Sequence, residues 1–294
     1  MKKIREILFL KSIKGIGKTT IYKKYWSLLN DCKNLDELMD GVRKHNTNFT
    51  DDDLREAQVK ADLIISNLEK MSDIQAITVF DKEYPARLQV MNEKRPLILY
   101  VKGDIHSLDG DTIALIGTRK PSDWSQKIEV QLTRKILELS DRVIISGLAL
   151  GCDAIAQKAT VEAGRKTVAV LPSGVNCIVP ASHKSLAVAI LDQGGCLLSE
   201  YEPDMQAFKK TFVERDAIVA ALSDITFAVE CGVDSGTMHT VNAAYDYNKT
   251  IACYYPKDFA KGEYLGNLYM AVEKRAVKVS NTEELYQLLA MREQ

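Results

Sequence analysis

Between residues 112 and 254, short β-branched runs alternate with amphipathic stretches, which predicts a mostly parallel sheet covered by helices on both faces. The strands fall at 112–116, 143–146, 167–171, 196–199, 225–230 and 250–254. Helical stretches lie near 124–139, 153–163, 183–193, 209–221 and 237–247. The expected fold is therefore α/β, a doubly wound, Rossmann-like sheet. In such a sheet ligands bind beyond the carboxyl ends of the strands, so the residues leaving each strand carry the functional information.

Upstream of residue 75 the period is helical. Leu35, Leu38 and Met39 mark one apolar stripe and Leu54, Ala57, Ala61 and Ile64 another, with Asn34 and Thr50 placed as helix caps. We read residues 1–74 as a small all-helical, SAM-like domain and 75–294 as the sheet domain. Within the first, LKSIKGIGKTTIYKKYWSLL has the order of a helix-hairpin-helix: Gly15 and Gly17 permit a tight turn, and a helix follows at Thr19 and Thr20. Lys14 and Lys18 beside that helix start make a second phosphate contact an option, the alternative being a hairpin that only packs.

The net charge is −1, against a positive excess in most nucleic-acid-binding chains. Its distribution is uneven: residues 1–30 hold eight Lys and Arg against the single Glu6, leaving the remainder acidic. Six cysteines without metal-ligand spacing read as buried thiols. No stretch reads as a signal peptide or a membrane span, so the expected location is the cytoplasm.

Three strand exits stand out. Gly117, Thr118, Arg119, Lys120 and Ser122 follow the first strand; Ser146, Gly147, Gly151 and Asp153 follow the second; Ser235, Gly236 and Thr237 precede a late helix. Small residues, hydroxyls, helix starts and the planar donor Arg119 together suit an anion site. Each turn alone is also what any strand-to-helix connection needs, and Asp153 serves equally as a cap. The dinucleotide GxGxxG and the Walker GxxxxGK[ST] patterns are absent, the four histidines stand apart, and no nucleophile, base and acid assemble by spacing. We therefore expect no catalytic residue, no metal and no cofactor.

The run Tyr84 to Asp104, then ALIGTRKPS, IISGLALGCDAIAQKATVEAGRKTVAVLPSGVNCIVPASHKSL, GGCLLSEYEP and FVERDAIVAALSD, resembles the DprA/Smf DNA-processing family over roughly residues 75–250. The resemblance implies an extended Rossmann fold that binds single-stranded DNA, helps load a recombinase during natural transformation, and pairs as a homodimer. It adds Arg215 to the strand-binding surface. The chain departs from the family pattern at Leu150, Gln157, Asp216 and Ala217, where basic, histidine, asparagine and arginine residues are usual. Fewer cations mean fewer phosphate contacts and weaker DNA binding. The leading reading is a non-catalytic single-stranded-DNA binder, with Trp124 or Tyr201 as stacking aromatics. The alternatives are a nucleotide-binding sensor and a nucleoside-phosphate hydrolase, whose PGGxGTxxE motif is missing apart from an echo at Ser235–Thr237.

Overall fold

The caps read from the N-terminal sequence are formed. Asn34 accepts the Glu37 amide at 3.0 Å to open α4 (Leu35–His45), and Thr50 and Asp53 exchange hydrogen bonds to open α5 (Asp51–Glu69). The structure, a computed structural model, describes residues 3–257 and 263–291. After α1 (Ile4–Ser12) the chain turns through Gly15 at φ 86°. Helix resumes at α2 (Lys18–Thr20) with Gly17 as its N-cap, one residue ahead of the expected threonines. A π-helical turn (Ile21–Tyr25) then leads into α3 (Trp26–Asp31).

The chain divides into two compact units, Met1–Tyr100 and Val101–Gln294. The first is centred on Phe9, Ile21, Leu29, Leu38 and Leu54, all wholly buried. It also contains β1 (Ile74–Thr78), next to which lies β2 (Ile98–Gly103), a strand that runs across the division. The change of period near residue 75 thus marks the first strand, whereas the units separate later.

The second unit holds β3 (Thr112–Ile116), β4 (Val143–Ser146), β5 (Thr167–Val170), β6 (Cys196–Ser199), β7 (Ile225–Ala228), β8 (Thr250–Tyr254) and β9 (Val277–Val279). They stand in the order β6-β5-β4-β3-β7-β8-β9, and every pair is parallel. Winding runs outward from β3 in one direction to β6, then restarts at β7 on β3's other side. The crevice beside β3 is therefore the topological switch point. The helices are α6 (Asp123–Leu139), α7 (Cys152–Glu162), α8 (Lys184–Asp192), α9 (Lys209–Leu222), α10 (Thr237–Asp246), α11 (Leu265–Glu273) and α12 (Thr282–Ala290). All five residues of β3 are buried, as are all four of β5, β6 and β7, which explains their unbroken apolar runs.

Four cysteines are buried, while Cys32 and Cys177 are only partly so, and all six are free thiols. Among the described residues no helix is long and apolar enough to cross a membrane.

The loop after β7 is positioned by a residue that the sequence did not mark. Asn267 on α11 is wholly buried; it accepts the Cys231 amide at 3.0 Å and donates to the carbonyls of Val229 at 2.9 Å and Tyr254 at 2.8 Å. Asn267→Ala strands those groups without water, at about 1–3 kcal/mol for each one left unpaired. We expect it to lower the free energy of urea unfolding by about 3 kcal/mol, whereas an unchanged midpoint would deny Asn267 this role.

Candidate functional site

The three strand exits singled out in the sequence line one cavity beside β3, and the glycines of the first two show how closely those turns approach. A methyl group on Gly117 would overlap the Cys152 sulfur, and one on Gly151, at φ 78°, would overlap the Thr118 carbonyl and the Arg119 backbone. The Cys152 amide donates to Thr118 O at 3.2 Å, so the first two turns are stitched together. The first is also clipped from β7's end. Glu230, buried, accepts from the Ser122 amide at 3.0 Å and hydroxyl at 2.8 Å, while its own carbonyl accepts the Thr118 amide at 2.8 Å.

The second turn is held from both sides. Asp153, 8% exposed, accepts the amides of Gly147 at 3.0 Å and Ala149 at 3.4 Å. On the opposite side the Arg215 guanidinium donates to the Gly147 carbonyl and, at 3.0 Å, to the Val170 carbonyl, and its Nε donates to Asp216 Oδ1 at 2.9 Å. Leu148 between them lies in the left-handed region at φ 55°, unusual for a branched side chain, with its carbonyl accepting from His183 Nδ1 at 2.8 Å. Burial raises the Asp153 pKa, against the pull of Arg215; burial also raises that of Asp216, against Arg215, His239 and Arg119.

These turns line a cavity of about 560 Å³ together with α9 and α10. Gly117, Thr118, Arg119, Gly147, Asp153, Ser235, Gly236 and Thr237 all face it. Arg119 is exposed, its guanidinium 5.3 Å from the centre of the Phe212 ring. Lys209, at the start of α9, is exposed on the same cavity, as is His239 on α10. The mouth is thus cationic and aromatic, whereas the floor carries Asp153 and Asp216.

Several expectations require correction. Arg215 lines the cavity but is 4% exposed, with Nη1 donating to two backbone carbonyls and Nε to Asp216, so its first task is to hold the turn. The Ser146 hydroxyl donates inward to Leu115 O at 2.6 Å, and Ser122 caps α6 by accepting the Ser125 amide. Lys120 and Gly151 border a neighbouring cavity of about 710 Å³, which Arg119 shares. Neither expected aromatic lines the first cavity. Trp124 is exposed elsewhere, and the Tyr201 hydroxyl donates to Glu214. The sequence pattern does not single out Lys209, Phe212, Glu230 or His183, none of which belongs to a small-residue turn, and it marks Asp216 only as a departure from the family pattern. In the first unit Lys14, Gly15 and Gly17 are exposed and Lys18 is partly so. Among the described residues no group of His, Cys, Asp and Glu is arranged to hold a metal.

The family described as DNA recombination-mediator protein A matches residues 75–290. Protein Smf of Escherichia coli is 30% identical over 211 residues, covering 70% of this chain and 54% of Smf, so the chain spans about half the length of that relative. The structure of DNA processing protein A from Streptococcus pneumoniae covers 100% of this chain and 99% of its own, with a TM-score of 0.76 at 23% identity, a likeness of fold. The Helicobacter pylori DNA processing protein A, described for its single-stranded-DNA binding mode, is 30% identical with a TM-score of 0.64 over 73% of this chain and 95% of its own.

A methyl group on Gly147 would overlap the Arg215 guanidinium. Gly147→Ala must displace a buried charge from its carbonyls, which costs about 3–5 kcal/mol when the charge loses its partners. We expect a stability loss of that order by thermal or urea unfolding; a loss below about 1 kcal/mol would show that the guanidinium moves freely.

Proposed function

The chain belongs to the DNA recombination-mediator protein A family, and from that premise we propose that it binds single-stranded DNA without performing chemistry on it. One observation carries this reading: three strand exits at the switch point converge on a cavity whose mouth presents Arg119 and Lys209 beside the Phe212 ring. Exposed cations take phosphates, and aromatic or guanidinium planes take bases, which is the common chemistry of single-strand binders. The H. pylori relative described as binding single-stranded DNA supports it at 30% identity. Arg119 and Lys209 are the main phosphate contacts, with Lys120 beyond the mouth. Gly236, with open space where a side chain would stand, allows close backbone approach, while Gly117 and Gly147 keep their turns packed against Cys152 and Arg215. Lys14, Lys18 and the Gly15–Gly17 turn of the first unit form a second contact in the same proposal.

A free nucleotide would fit a cavity of this size, which lies within the usual range for small-ligand sites. The two ligands differ in counterion release. For a strand engaging Arg119, Lys209 and Lys120, the logarithm of the binding constant should fall against the logarithm of salt with a slope of about −2, from roughly −0.7 per phosphate. Arg119→Ala should weaken binding and reduce that slope by about 0.7, as measured by fluorescence anisotropy with a labelled oligonucleotide. A slope near zero would favour the small nucleotide.

Hand-off of the strand to a recombinase and pairing of two copies belong to the same proposal and rest on family membership. Light scattering of the purified chain should return twice its 32.9 kDa; a mass of one chain at micromolar concentration would remove the pairing.

A further inference from the structure

The charges around the cavity are sorted by depth. Arg119 and Lys209 are exposed at its mouth, while the Asp216 side chain, 17% exposed, lines its interior. A phosphate is therefore drawn to the mouth and repelled from the floor, and a nucleotide entering this cavity points its base inward. Phe212 lies one helical turn before Asp216 on α9, so ring and carboxylate share a helix face.

Asp216 has acceptor capacity to spare. Its Oδ1 takes the Arg215 Nε–H at 2.9 Å, which fixes the carboxylate and leaves Oδ2 as an open acceptor, together with a lone pair on Oδ1. An ionised carboxylate accepts only. A base buried against it is favoured in proportion to the N–H donors it can aim at that point. Among the four DNA bases, guanine alone carries two adjacent donors on its pairing edge, N1–H and the N2 amino group. Adenine and cytosine offer one amino group beside an acceptor nitrogen, and thymine offers one N–H between two carbonyls, which a carboxylate repels.

Building on the single-strand reading above, we propose that Asp216 makes this cavity a base-selective pocket that prefers guanine. The preference belongs to this chain's own residue, since an asparagine there presents one donor and one acceptor and discriminates little between bases. Phosphate contacts at Arg119 and Lys209 hold the strand in place, and the floor reads the base.

The test uses thymidine oligomers of about six nucleotides carrying a single central dG, dA, dC or dT, titrated against the full chain at low salt. A bidentate base contact gives about tenfold discrimination or more, so the dG oligomer should bind about tenfold tighter than the others. In Asp216→Asn that ratio should shrink to within about twofold, a change that a merely structural role would not produce, because weakening of the pocket as a whole lowers all four affinities together. Equal binding of the four oligomers by the unaltered chain overturns the guanine preference and leaves the DNA reading intact. A dG preference that survives in Asp216→Asn overturns the role of Asp216. Failure of every oligomer to bind overturns the DNA reading itself.

Discussion

The geometry of the cavity depends on one buried cation. Arg215 reaches from α9 under the sheet's carboxyl edge and fixes the carbonyls that end β4 and β5, while its Nε holds Asp216. A guanidinium suits this task because its donors fan out in a plane and stay charged at every relevant pH. Removing it from water is expensive, and only the hydrogen bonds and the two neighbouring carboxylates offset that cost. Asp153 completes the arrangement from the opposite side by taking the amides of the same turn. Gripped at both its amides and its carbonyl, the segment after β4 tolerates the left-handed Leu148. Strain of this kind persists only where its surroundings over-determine the backbone.

That arrangement also explains what could and could not be read from the residues. The strands β3, β5 and β7 were legible because burial on both faces leaves runs rich in apolar and β-branched residues. The convergence of Gly117, Gly147 and Gly236 followed from the switch-point rule applied to those strands. β9 escaped notice because Val277–Val279 is too short to show a period. Asn267 escaped because an asparagine within a helix carries no local mark of what it bonds to. The internal bonding of Arg215 had a signal in the sequence. Thr211, Arg215, Ile218, Val219 and Leu222 are all buried and recur at helical spacing, so the arginine stands in the apolar stripe of α9. A cation in a core stripe is structural before it is anything else. Arg119, on a loop with no stripe to join, was free to face outward.

Charge, too, acts locally. An overall balance of −1 gives no guide to what the cavity attracts, because exposed charges more than about 8–10 Å apart are largely screened at physiological salt. What an approaching phosphate meets is the mouth, where Arg119 and Lys209 stand over low-dielectric walls that concentrate their field. Deeper in, the single positive charge of Arg215 faces two acidic groups, Asp153 and Asp216, so the interior adds no net attraction for an anion. Under the proposed function a polyanion would be held at the rim by few cations, which implies modest sequence-independent affinity. Under the same proposal, discrimination between ligands would come from their neutral part, which an interior lined by Asp153 and Asp216 disfavours least.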